Sequence, residues 1–127
     1  MEGVISMSTA TDRILIKDLM IRCILGLSEE ERREKQDVVI NLILWADLEP
    51  AAASDHIEDA VDYRAVKKRI IALVEESKYH LAETLADRIA RMCLEEPAVQ
   101  QVQVTVEKPT ALRFAHSVGV EIVRRRS

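Results

Sequence analysis

No apolar run in this chain reaches the ~18–20 residues that a helical membrane span requires, so a membrane-spanning protein is not expected. The opening segment, residues 1–11, lacks a basic region followed by an apolar stretch, which excludes the secretory-signal pattern; it reads as a flexible tail ahead of a single domain over 12–127. Clustered positive charge is equally scarce. The net charge is −4, and phosphate backbones are held by grouped Lys and Arg, so nucleic acid is not expected as the partner. The one dense basic cluster, Arg124-Arg125-Arg126, reads as a solvated tail. Cysteine is sparse. Cys23 and Cys93 each lie in an apolar run with no Cys-x-x-Cys pair, which reads as buried free thiols in a reducing cytoplasm. His56, His80 and His116 show no ligand spacing with one another or with the cysteines, so no metal is expected.

The 127 residues present, 48% apolar and 31% charged, suit one soluble globular core. Ile14 to Ile24 is rich in aliphatic and β-branched residues, broken at Lys17-Asp18, and reads as a first strand. Gly26 to Lys35 carries Glu29, Glu30, Glu31, Arg32, Arg33 and Glu34 and reads as a solvated loop or one helical turn. Nothing local separates Glu31 from its acidic neighbours. Val38 to Trp45 reads as a second strand with apolar residues on both faces, so something is expected to cover both. Leu48 to Asp59 reads as an irregular connection. Asp62 is a candidate N-cap. Val66, Ile70, Ile71 and Val74 then predict a helix to about Ser77, and Leu81, Leu85, Ile89 and Cys93 a second one ending near Glu95-Glu96-Pro97. Val102, Val104 and Val106 alternate with Gln101, Gln103 and Thr105. Val118, Val120 and Ile122 alternate in the same way. The order β-β-α-α-β-β predicts an α+β domain: a four-stranded antiparallel sheet with two helices on one face. Open sheet edges then point to a homo-oligomer built through the sheets.

Four places resemble the dihydroneopterin aldolase and dihydroneopterin triphosphate 2′-epimerase family: Gly26, Glu31 and Gln36 at intervals of five; Ala60-Val61-Asp62-Tyr63; Leu81-Ala82-Glu83-Thr84-Leu85-Ala86; and Lys108-Pro109. The resemblance implies the tunnelling fold (T-fold), assembled as an oligomeric barrel, with two stacked tetramers making an octamer and sites between subunits. It implies a reduced pterin as the small-molecule substrate and no cofactor. Glu83 would anchor the pterin, with backbone contacts around Ala82 and Val61. Tyr63 would pack near the ring from a neighbouring subunit. Lys108 and Glu31, with Tyr63, would form the catalytic set. The implied reaction is retro-aldol cleavage of 7,8-dihydroneopterin, as in folate biosynthesis, to 6-hydroxymethyl-7,8-dihydropterin and glycolaldehyde. The ring's own C=N bond serves as electron sink, so neither a metal nor a Schiff base is required.

Residues 111–118 and 35–41 resemble the triphosphate epimerases, whereas Gly119-Val120-Glu121-Ile122 resembles the aldolases. A triphosphate would require added cations, for which Arg32 and Arg113 are candidates. A third reading is a non-catalytic pterin-binding oligomer. The set Glu31, Tyr63, Glu83 and Lys108 argues against it, because a scaffold has no use for all four.

Overall fold

The computed structural model describes residues 11–109 and 111–127. Nearly all of the expected tail, residues 1–10, lies outside the described residues. The elements are β1 (Arg13–Cys23), α1 (Glu29–Arg33), β2 (Gln36–Ala46), α2 (Glu49–Ser54), a 3-10 turn (Ile57–Asp59), α3 (Tyr63–Glu76), α4 (Ala82–Cys93), β3 (Val99–Lys108) and β4 (Val118–Arg125). The strands form one antiparallel sheet in the order β1-β2-β3-β4. Helix α3 packs on β1, and α4 packs on β3 and β4. The predicted α+β sheet with its helices is therefore present.

Alternation decides which face is covered. Val38, Ile40, Leu42 and Leu44 of β2 and Val102, Val104 and Val106 of β3 point toward the helices and are buried. They meet Ile70 and Val74 of α3 and Leu85, Ile89 and Cys93 of α4. The other face of β2 is only partly covered: Val39, Ile43 and Trp45 are half-buried. Beside them, Leu15 and Met20 of β1 are exposed. The expected two-sided cover is thus absent within one chain, because both long helices lie on the same side. The break at Lys17-Asp18 is a β-bulge. The register shifts between Ile16 and Leu19, Asp18 takes a φ of 54°, and its amide donates to Asn41 Oδ1 at 2.8 Å.

Two expectations need correction. The segment Leu48 to Asp59 is not irregular throughout: it holds α2 and the 3-10 turn. Pro50 sits in the first turn of α2, where its missing N–H costs nothing, and three alanines follow it. Asp55 ends the helix in the left-handed region, its amide donating to Ala51 O at 2.8 Å. Nor is Arg124-Arg125-Arg126 a solvated tail, since Arg124 and Arg125 belong to β4. Arg124 Nε donates to Asp87 Oδ1 at 3.0 Å. The Arg126 guanidinium donates to the carbonyls of Leu94, Glu96 and Val99. Carbonyls at and beyond a helix C-terminus lack partners in the helix and favour a cation.

Other expectations hold. Asp62 caps α3, accepting from Ala65 N at 3.0 Å, and Ser77 closes the helix. Cys23 and Cys93 are buried and free. Burial pushes both thiols up, Cys93 to about 12. Among the described residues, no helix is long and apolar enough to cross a membrane.

Candidate active site

The loop between β1 and β2 is the first wall of the site. Ser28 caps α1 in a capping box: its Oγ accepts from Glu31 N at 3.1 Å, and the Glu31 carboxylate accepts from Ser28 N at 3.4 Å. Glu31 therefore differs from Glu29 and Glu30 by position. The pattern Ser28-x-x-Glu31 was a sequence signal for it that the acidic run concealed. Glu31 Oε1 also accepts from Leu27 N at 3.1 Å.

Gly26 explains the first interval of the motif. Its φ is +144°, and a Cβ there would stand 2.2 Å from Glu31 Oε1. The carboxylate occupies the space that any larger residue would need. Gln36 explains the second interval, since its Nε2 donates to Leu25 O at 2.6 Å. The loop is tied to the start of α4 as well. Tyr79 O accepts from Gly26 N at 3.3 Å and from Arg32 Nη1 at 3.1 Å, and Arg32 also reaches Gly26 O.

Lys108 closes β3 and meets this loop from across the sheet. Its Nζ stands 2.8 Å from Glu31 Oε2, and its side chain is only 15% exposed. The pair joins residues 77 positions apart. The hydrogen bond from Lys108, followed by those from the Ser28 and Leu27 amides, holds the Glu31 carboxyl below its usual range, although burial opposes the shift.

Helix α4 supplies the third wall. Leu81, at the N-cap, offers no side-chain cap, so α4 begins without the usual partner for its first amides. Ala82 and Glu83 form that first turn. These walls enclose a cleft of about 280 Å³ containing Glu31, Lys108, Glu83, Ala82 and His80, with Leu27, Leu81 and Val118 as its apolar surfaces. The strand β4 edge also contributes Gly119, where a Cβ would stand 2.4 Å from Val106 O. Acceptors at Glu83 and a paired ammonium at Lys108 face one apolar-walled space, a combination suited to a flat polar heterocycle.

The structure thus brings together Glu31, Glu83, Ala82 and Lys108. It does not bring Tyr63 and Val61 to them. Those two line a separate depression of about 340 Å³ with Ile57 and Arg64. Tyr63 is exposed there, and the Val61 side chain is buried. Of the cations considered for a triphosphate, Arg32 is committed to carbonyls. Arg113 lies on the exposed 111–116 segment, its guanidinium 5.0 Å from the Phe114 ring centroid. His80 also lines the cleft, and nothing in its sequence context signals that.

Comparison with known proteins follows the same lines. The family described as FolB, dihydroneopterin aldolase, matches residues 14–123. A dihydroneopterin triphosphate 2′-epimerase of Pseudomonas aeruginosa is 42% identical over 114 residues, covering 90% of this chain and 93% of the relative. A dihydroneopterin aldolase of Streptomyces coelicolor is 38% identical over 100 residues, covering 79% and 84%. The crystal structure of Escherichia coli dihydroneopterin aldolase in complex with neopterin superposes with a TM-score of 0.86 at 27% identity, covering 90% of this chain and 99% of that one. With a cleft built on Glu31, Glu83 and Lys108 and a match over almost its whole folded length, the chain belongs to the dihydroneopterin aldolase family.

Proposed function

We propose that this protein is a dihydroneopterin aldolase. It cleaves the trihydroxypropyl side chain of 7,8-dihydroneopterin to give 6-hydroxymethyl-7,8-dihydropterin and glycolaldehyde. The observation that carries this reading is the Lys108–Glu31 pair at 2.8 Å, facing the same cleft as Glu83. Glu83 accepts two hydrogen bonds from the amidine-like edge of the pterin, a charge-assisted arrangement. Amides at the uncapped start of α4, around Ala82, add to the anchor. Bond cleavage sends an electron pair into the ring C=N bond, so the protein's task is to move protons and hold geometry. Lys108 delivers and recovers a proton at the side chain, and Glu31 orients it. No Schiff base is involved in this reading, and no metal.

Tyr63 enters this scheme from a second copy of the chain. Three observations support that assembly: Tyr63 is exposed in a depression separate from its own cleft, one sheet face is only half covered, and β1 and β4 have free edges. The proposed assembly is an octamer of two stacked tetrameric rings. Val61 contributes through its backbone, its side chain being in the core. The two buried free thiols suit a reducing compartment, and we place the enzyme in the cytoplasm. A monomer in sedimentation at micromolar concentration would refute the assembly.

The second reading is a triphosphate 2′-epimerase, favoured by the 42% identity to the Pseudomonas aeruginosa protein. Cleavage and re-addition at one carbon would give epimerisation in the same cleft. Incubating the protein separately with 7,8-dihydroneopterin and its triphosphate, and measuring glycolaldehyde and epimer, tests both. Glycolaldehyde from the free pterin is the expected result.

A further inference from the structure

The cleft of one chain is poorly furnished for a phosphorylated side chain. Its walls carry two carboxylates, Glu31 and Glu83, against one ammonium, Lys108, and that ammonium is held by Glu31. Arg32 is committed to the carbonyls of Gly26 and Tyr79. The cleft volume of about 280 Å³ lies just below the range of roughly 300–1,000 Å³ common for ligand pockets. With the ring on Glu83, the far end of a longer side chain projects past the walls. A group that holds that end stands outside the cleft of a single chain.

Such a group stands beside Tyr63. In the proposed assembly a second copy brings Tyr63 to the cleft, and Arg64 lines the same depression as Tyr63. Neighbouring residues have Cα atoms about 3.8 Å apart, so a copy that delivers one delivers the other. Arg64 also begins a ridge of cations. Lys67 and Lys68 follow at i+3 and i+4, the spacing that places side chains on one helix face, and all three are exposed on α3. Arg22, Arg33, Arg69, Arg91 and Arg124 each pair with a carboxylate; among the described residues, Arg64, Lys67 and Lys68 do not. The carboxylate that lines the depression, Asp62, is committed to the cap of α3 through Ala65 N. Helix stability does not account for Arg64 either, because the first turn of a helix favours anions.

We infer that Arg64 of a second copy is a specificity-determining residue, which holds the phosphate end of a pterin whose side chain is phosphorylated. Lys67 and Lys68 extend the same cationic face. The inference rests on the pterin reading of the cleft and on the proposed assembly. A guanidinium donates two parallel hydrogen bonds to phosphate oxygens, a match that an ammonium cannot copy. Free 7,8-dihydroneopterin ends in a hydroxyl and offers no anion there. Arg64 therefore discriminates between substrates, and proton transfer stays with Lys108, Glu31 and Tyr63.

The first test is calorimetric affinity for 7,8-dihydroneopterin and for its triphosphate, in K108A, K108A/R64A, K108A/R64K and K108A/R113A, a background in which turnover is slow. R64A should lower the ratio of triphosphate to free-pterin affinity by about tenfold, and R64K should keep part of it. An unchanged ratio would overturn the inference, as would loss of both affinities by one factor or a fall confined to R113A. The second test co-expresses K108A and R64A chains. Some clefts then unite Lys108 of one chain with Arg64 of the other, so turnover of the triphosphate should exceed that of either variant alone. A rate between the two would place Arg64 at its own chain's cleft and overturn the inference. A wild type that turns over neither pterin, yet loses the affinity ratio through R64A, would refute the aldolase reading and leave Arg64 in its role.

Discussion

The two ends of α4 are built from opposite materials. At its start, Leu81 provides no cap, Glu83 stands in the first turn, and the amides open on a cleft. At its end, the Arg126 guanidinium covers the carbonyls of Leu94, Glu96 and Val99, while Asp87 holds both Arg91 and Arg124. Both ends are rich in charge, yet only one has polar groups left over. The satisfied end serves stability, because its groups have already exchanged water for protein partners. The unsatisfied end is suited to a ligand, because its groups still gain by finding one.

That contrast can be tested from both sides. The largest effect is expected at the cleft. Lys108→Ala should slow turnover by roughly 10²–10⁴-fold while pterin affinity changes far less. Borohydride added with substrate should trap no adduct on the wild type; a trapped imine would refute proton transfer as the role of Lys108. Next, Glu83→Gln keeps the shape of the anchor and loses its charge. A charge-assisted hydrogen bond is worth about 1.5–3 kcal/mol, so calorimetry should show dihydropterin affinity falling by at least about tenfold. At the other end, Arg126→Ala should leave activity per folded molecule unchanged and lower urea-unfolding stability by about 1–2 kcal/mol, an exposed site reducing the full value.

The smallest effect is a pH dependence. Hydrogen bonds from Arg91, then Arg124, hold the Asp87 carboxyl below its ordinary value near 3.8. A depressed carboxyl stabilises the fold above its unfolded pKa and loses that contribution as pH falls through the folded one. Thermal unfolding of the wild type and of Asp87→Asn should therefore differ at neutral pH and converge in acid. A constant difference down to pH 3 would show that the ion pairs are not the cause.

Local pattern made the sheet and the long helices legible. The alternation of Val102, Val104 and Val106 and the cap at Asp62 each state their structure within a few residues. Helix α2 escaped because six residues, Glu49–Ser54, are too short to show a period. The arginines at the chain end escaped because their partners lie far away: 37 positions separate Arg124 from Asp87, and Arg126 reaches back 27 to Val99. The cleft was legible only in part. A helix start accounts for Glu83 through the dipole alone; family resemblance is what singles out Glu83, Ala82, Lys108 and Glu31, and no periodicity predicts that Lys108 meets Glu31 from 77 positions away. Tyr63 shows the remaining gap: under the proposed assembly it would serve another copy's cleft, and such a role leaves no trace in the folding of its own chain.

Gly26 has a consequence for how this protein tolerates change. Its missing side chain is the volume in which the Glu31 carboxylate sits. In a saturation library scored for pterin cleavage, positions 29 and 30 should accept many residues, since neither carboxylate lines the cleft. Position 26 should accept almost none, although it carries no functional group at all. Any graft of this cleft onto another scaffold must therefore copy an empty space as faithfully as the carboxylate that fills it.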